Sequence, residues 1–293
     1  MGEHQTLLWK IAIWIANILA ILFLLLPIVA IFFGAVQTEK DLLTDVRNPL
    51  PKGFTLKNFE VILTGKGAES GVAHYLPPNV GVLPRAFLNS TVVSLSVTFL
   101  CLTFASMSAY AISRLRQRWT KGFLYVSLAT RLVPLMTLMV PLYVSLRGFH
   151  LLNSLTGIIL TMVGFLLPYA IWILTGFFLT LPRDLEDAAR IDGCSRTQAF
   201  LRIIIPLSAP GIASCGVIMF ILSWNELVIP LIISTRPEVM TIPVLLASLC
   251  SDKFLFFTLS MAICLIALTP SVLLALLLRK YVVQGLTSGA LKG

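Results

Sequence analysis

The sequence predicts an all-α integral membrane protein that crosses a bilayer about six times. Of its 293 residues 57% are hydrophobic and only 12% charged, against roughly 25% charged in a soluble globular domain. Six apolar stretches are each long enough to span a hydrocarbon core about 30 Å thick, which takes roughly 20 helical residues. The connections between them are mostly short.

The spans are expected at residues 11–36, 86–113, 123–146, 154–179, 207–234 and 256–278. Lys10 precedes the first, and Gly34 and Ala35 close it, as in a signal peptide. Its apolar run is too long, however, for a cleavable h-region of roughly 7–15 residues, so it reads as an uncleaved span. Residues 1–36 therefore form an N-terminus with its helix, and 37–85 a long loop. Residues 86–283 form a core of five spans with a loop at 181–206, and 284–293 a tail. Within the long loop, residues 54–63 are expected to form a short amphipathic helix.

Basic residues in short loops stay on the cytoplasmic side. The loop after the second span carries Arg114, Arg116, Arg118 and Lys121; that after the fourth carries Arg183, Arg190, Arg196 and Arg202; the C-terminus adds Arg279, Lys280 and Lys292. The opposite loops offer only Arg147 in one case and Arg236 with Lys253 in the other, which predicts both termini in the cytoplasm. This placement accounts for most of the net charge of +9. No basic soluble face with aromatic platforms exists, which excludes a nucleic-acid partner.

Pro27, Pro134, Pro141, Pro168, Pro230 and Pro270 lie in or beside spans. Each removes a backbone donor, and such breaks persist in a membrane where protein or a wet cavity satisfies the backbone. Cys101, Cys194, Cys215, Cys250 and Cys264 show no CxxC spacing, and His4, His74 and His150 are far apart. The cysteines read as small buried hydrophobes, and neither a metal site nor a catalytic constellation is expected.

The loop at 181–206 reads as helix, turn, helix. Asp184 is the expected N-cap, with Asp187 three residues later as an imperfect capping box, and Gly193 is the stop. Ser195 and Gln198 then form a second box, Ser-x-x-Gln, opening a helix towards Pro206. The first helix either docks on another surface or is a connector packed on its own membrane domain. Arg190 and Arg196 could pair with acids of a partner or serve as cytoplasmic markers, the reading favoured for Arg196.

In the fifth span, Trp224-Asn225-Glu226 places a carboxylate where ionisation costs at least about 2.5–3.5 kcal/mol by insertion scales. An aromatic face beside polar acceptors suits a sugar; a structural cluster that locks helices is the alternative. Pairing of Glu226 with Arg131 of the third span would favour the lock. Trp224, Asn225, Glu226 and Tyr143 are the candidate substrate-pathway residues.

The spacing Asp187-Ala188-Ala189, Gly193, Ile203 and Ile205-Pro206 resembles the EAA loop of binding-protein-dependent ABC importer permeases, with Asp for Glu and Ile for Leu. Asn89-Ser90, Ala109-Tyr110-Ala111, Pro141-Leu142-Tyr143, Leu151-Leu152-Asn153-Ser154, Trp224-Asn225-Glu226 and the ending Gly285–Gly293 are similar to the smaller permease subunit of maltose-type importers. The resemblance implies the ABC importer type I permease fold in the cytoplasmic (inner) membrane, moving a carbohydrate. It makes Glu186, Asp187, Ala188, Ala189, Arg190, Asp192 and Gly193 the ATPase-coupling set, and Gly285, Thr287, Gly289, Lys292 and Gly293 a tail touching the ATPase. The implied partners are a second permease in a heterodimer, a cytoplasmic ABC ATPase dimer and an extracytoplasmic solute-binding protein. No GxxxxGK[ST] phosphate cradle occurs, so ATP and Mg would be bound by the partner ATPase, with no cofactor on this chain. The competing functional class is a proton-coupled secondary transporter using Glu226.

Overall fold

The computed structural model describes residues 2–44, 53–65, 80–114, 118–251 and 254–278. The chain divides into two compact units: residues 1–83 with 246–268, and residues 84–245 with 269–293. Helices α1 (Gly2–Ala35), α2 (Glu39–Thr44) and α3 (Lys57–Thr64) belong to the first. The second contains α4 (Leu83–Arg114), α5 (Arg118–Ala129), α6 (Met139–Gly148), α7 (Leu155–Phe178), α8 (Asp184–Ile191), α9 (Arg196–Ala199), α10 (Ile205–Leu207), α11 (Ala209–Trp224) and α12 (Val228–Ile233). Helices α13 (Ile242–Leu249) and α14 (Phe257–Leu277) are shared between the two, and a two-residue antiparallel pair, β1 (Cys250–Ser251) with β2 (Phe254–Leu255), lies between them in sequence.

In the first unit, α1 presents apolar side chains on every side; Phe23 is 77% exposed and Leu24 67%. Such a surface is stable only against lipid or another apolar chain. Its end is pinned by α3. Asn58 is fully buried and donates both amide hydrogens, to the carbonyls of Ala35 and Gln37 at 2.8 Å each. The expected amphipathic helix of the long loop is therefore present. It stops at Gly65, whose φ of +70° and close approach to Gly81 exclude a side chain. Glu39 caps α14, accepting from the amides of Phe257 and Thr258 and from the Thr258 hydroxyl.

The core of the second unit follows from a four-residue repeat. Val93, Val97, Cys101, Ala105 and Ala109 form one buried stripe along α4. Small residues in that stripe let neighbouring helices approach closely. Against it lie Ile158, Met162, Leu174 and Phe178 of α7 and Cys215 and Met219 of α11. The two buried cysteines thus pack as small hydrophobes.

Four described helices are long and apolar enough to cross a membrane alone: the Trp9–Ala35 part of α1, then α4, α7 and α14. Counting each of two bent pairs as one span gives six. The third expected span is broken. Its halves, Gly122–Leu132 and Leu135–Gly148, meet at 84° around Val133-Pro134. Proline cannot donate to the helix ladder and drives the residue before it out of the α region; Val133 accordingly has ψ 119°. Pro27, Pro168 and Pro270, in contrast, lie inside continuous helices.

The fifth span also differs from a single rod. The segment Arg196–Leu207 meets Ala209–Trp224 at 75°, and the helix stops again after Trp224 before resuming as α12. Between the two, Glu226 bends back to accept hydrogen bonds from the amides of Val228 and Ile229.

Two of the quoted motifs have structural work. Asn89 donates to the carbonyls of Glu238 and Met240, and Ser90 accepts from the amide of Ile242. Asn153, left-handed at φ 54°, accepts from the amides of Thr235 and Arg236 and from the Thr235 hydroxyl. Together they hold the segment after α12 from two sides.

Candidate functional site

Helix α8 starts at Asp184 with Arg183 in the capping position and no side-chain cap. The expected Asp184 cap and its imperfect box with Asp187 are therefore absent. Arg183 instead donates to the carbonyl of Ser113 at 3.1 Å, so the loop is tied to the end of α4 before the helix begins. Asp184, Glu186 and Asp187 fill the first turn, where the helix dipole favours negative charge. At the other end Gly193 takes φ +88°, and the amide of Cys194 reaches back to the carbonyl of Ala189. Ser195 and Gln198 form both halves of the expected capping box. Past α9 the chain passes through a five-residue π-helix, Phe200–Ile204, towards the bend at Ser208.

The two faces of α8 differ. Glu186 and Ala189, three residues apart, are buried. The Glu186 carboxylate accepts from the Tyr110 hydroxyl at 2.5 Å and lies 3.1 Å from Nε of Arg114. Arg114 also donates to the carbonyl of Leu181, and the Tyr110 ring packs on Phe200 at 4.7 Å between centroids. Asp187, Ala188, Arg190, Ile191 and Asp192 face outward, and Ile191 is 86% exposed. One face of the helix thus packs on its own membrane domain, and the other is exposed. Within the coupling set Glu186 and Ala189 point at their own membrane domain, whereas Asp187, Ala188, Arg190, Asp192 and Gly193 are exposed. Tyr110 and Arg114 were not singled out for this role. The tail residues Gly285, Thr287, Gly289, Lys292 and Gly293 lie outside the described residues.

A second feature lies where the broken spans meet α7. A cavity of about 200 Å³ is lined by Arg131, Val133–Leu135, Met162, Phe165, Leu166, Glu226 and Ile229. Arg131 donates to the carbonyl of Phe165 at 2.8 Å and lies over that residue's ring, 5.9 Å from its centroid. Glu226 is fixed by the amides of Val228 and Ile229 at 2.9 and 3.4 Å. Both charges line the same cavity, yet no ion pair joins them.

The other candidate pathway residues are not brought to this cavity. Trp224 is buried, its ring stacked on Phe220 and edge-on to Phe87, each at 5.6 Å. Asn225 is exposed and donates to the carbonyl of Ile221. Tyr143 lies on α6 with 38% exposure. Among the described residues no group of three or more His, Cys, Asp and Glu is placed to hold a metal.

Residues 101–288 match the family described as binding-protein-dependent transport system inner membrane component. The chain is 32% identical over 270 residues to the sulfoquinovosyl glycerol transport system permease of Agrobacterium fabrum, covering 92% of this chain and 89% of the relative. It is 30% identical to the trehalose transport system permease of Mycobacterium tuberculosis over the full length of both, and 30% identical to the arabinooligosaccharides transport system permease of Bacillus subtilis over 99% of this chain and 98% of that one. Among solved structures, a chain of a bacterial ABC transporter that imports the acidic polysaccharide alginate superposes with a TM-score of 0.75 at 20% identity, over 96% of this chain and 98% of that one.

Proposed function

Because the chain belongs to the binding-protein-dependent transport system inner membrane component family, we propose that it couples ATP hydrolysis to import through the outward face of α8. As a member it is a multi-pass permease subunit of an ABC importer in the cytoplasmic membrane. It is a transport subunit and not an enzyme, with ATPase activity in a partner subunit. Family membership also removes the case for a proton-coupled carrier. An ATPase and a solute-binding protein complete such importers.

The cargo is a carbohydrate. The trehalose, arabinooligosaccharide and sulfoquinovosyl glycerol systems named for its relatives support this. The partner permease is a different chain, so that the pair is a heterodimer, and both termini face the cytoplasm as the basic loops dictate. ATP and Mg are bound by the partner, and the tail 284–293 reaches it.

One observation carries the coupling role: α8 is buried on one side, through Glu186 and Ala189, and exposed on the other. A helix free to dock yet fastened to α4 and Leu181 transmits the motion of whatever seats on it. α4 has 32 residues and is about 48 Å long, with Asn89 and Ser90 gripping the segment after α12 from its other end. Motion delivered at α8 therefore reaches the segment after α12.

Single cysteines at 188 and 189, in a chain whose five native cysteines are replaced, test this. Ala188→Cys should crosslink to the partner ATPase in the assembled importer, and Ala189→Cys should not. Absence of any crosslink to the ATPase from position 188, or uptake that survives deletion of 184–192, would overturn the reading.

A further inference from the structure

We propose that the cavity between the broken third span, α7 and the start of α12 is a transit subsite for one saccharide ring, with Arg131 as hydrogen-bond donor and Glu226 as acceptor. The proposal rests on the carbohydrate reading above and adds a location and two residues to it.

The two charges are held from behind and left open in front. Arg131 uses one Nη on the carbonyl of Phe165 and rests over that ring. Glu226 uses Oε1 on the amides of Val228 and Ile229. Each side chain is oriented by backbone groups of its neighbours, Phe165 for Arg131 and Val228 with Ile229 for Glu226, while the remaining guanidinium hydrogens and the second carboxylate oxygen stay available to the cavity. Preorganised donors and acceptors of this kind bind polar ligands without first reordering the site.

A structural lock would look different. At the base of α4 the same residue types meet directly, Glu186 to Arg114 at 3.1 Å. In the cavity Arg131 and Glu226 do not pair although they share its wall. Two unpaired charges inside membrane-spanning segments mark a pathway and not a clamp.

The remaining wall fits the rest of a sugar. Met162, Leu166 and Ile229 are apolar and lie beside the charges. A pyranose ring has an apolar face of axial C–H groups and an edge of hydroxyls that both donate and accept, so it can satisfy Arg131 and Glu226 at once while covering the apolar wall. At about 200 Å³ the cavity is smaller than the roughly 300–1,000 Å³ of a drug-sized ligand site, which limits occupancy to one ring at a time. It is also built where unwound backbone is tolerated, at the interruptions of two spans, which is where transport proteins place ligand sites.

The test uses the complete importer, with partner permease, ATPase and binding protein, in liposomes. The probes are labelled trehalose, maltose and arabinobiose, together with monodeoxy analogues of whichever of these the wild type takes up. Glu226→Gln is isosteric and can still cap α12 through its side-chain oxygen; Arg131→Met removes the donors, and Arg131→Lys restores one.

We expect Glu226→Gln and Arg131→Met to lower sugar delivered per ATP hydrolysed about tenfold, with Arg131→Lys recovering part of it. A deoxy analogue that the wild type handles several-fold worse than its parent should be handled equally with that parent by one of the two variants, because the missing hydroxyl has lost its partner. A merely structural role would slow parent and analogue alike. Should Arg131→Met fail to assemble, Glu226→Gln with the analogues decides. Uptake of a sugar by the wild type, with normal uptake and unchanged analogue discrimination in the variants, overturns the subsite alone. Failure of the wild type to take up any of the sugars overturns the carbohydrate reading and the subsite with it.

Discussion

Glu186 lies in the charged loop helix α8 and Glu226 at the break between α11 and α12, and the chain treats the two glutamates oppositely. Glu186 is 8% exposed and closed off by Tyr110 and Arg114. Glu226 is half-buried, accepts from the backbone amides of Val228 and Ile229, and lines a cavity that also contains an arginine with which it forms no ion pair. A carboxylate whose charge is fully met fixes one element to another. One that is only partly met retains capacity for something that comes and goes. Under the two proposals above, the difference separates the part of the molecule that would transmit force from the part that would meet cargo.

The sharpest way to break this contrast is Glu186→Ala. It leaves the guanidinium of Arg114 buried without its carboxylate, and removing one member of a buried pair costs about 3–5 kcal/mol. Helix α8 should detach from α4, with uptake down more than tenfold while the partner ATPase still hydrolyses ATP; retained coupling would show that the tie is incidental. Trp224→Ala comes next, at about 3 kcal/mol for a buried aromatic packed on Phe220 and Phe87. It should reduce the amount of assembled importer recovered from the membrane and leave the choice among sugars unaltered, unlike Glu226→Gln two residues away. A change of sugar preference in Trp224→Ala would return that ring to the substrate path.

Smaller effects concern the supports. Asn153→Ala removes three hydrogen bonds to Thr235 and Arg236 and puts a side chain with no local acceptor at φ 54°, for about 2 kcal/mol. A lowered thermal midpoint of the purified importer would report it. Ser195→Ala loses one capping box at about 1 kcal/mol. That should appear as faster amide exchange at Gln198 and little change in transport.

Much of this was legible in the sequence because it is local. Hydropathy located the spans, the three-residue offset of Ser195 and Gln198 marked a capping box, and Gly193 could stop a helix where other residues resist a left-handed φ. Even the short helix Lys57–Thr64 follows from its amphipathic pattern, with Val61 and Ile62 buried and Lys57 and Glu60 outside the core. What was not legible is direction. Hydropathy averages over a window and cannot tell a straight span from one turned by 84° at Val133-Pro134, and six prolines beside spans gave no rule for which one breaks its helix. Nor does a sequence say which residue of a pair such as Glu186-Asp187 turns inward. That depends on Tyr110 and Arg114, more than 70 positions earlier on another helix. Trp224 illustrates the same limit: its ring turns to Phe87 and Phe220, while the carboxylate of Glu226 two residues on lines the cavity.

The tie between α8 and α4 is tested most directly by a double-mutant cycle on sugar delivered per ATP hydrolysed, using Glu186→Gln, Arg114→Gln and the two together. If the pair acts as one unit, each single change lowers the ratio and the double change lowers it no further than the worse single. Losses that simply multiply would mean that the two residues act independently and that α8 is not driven through this contact.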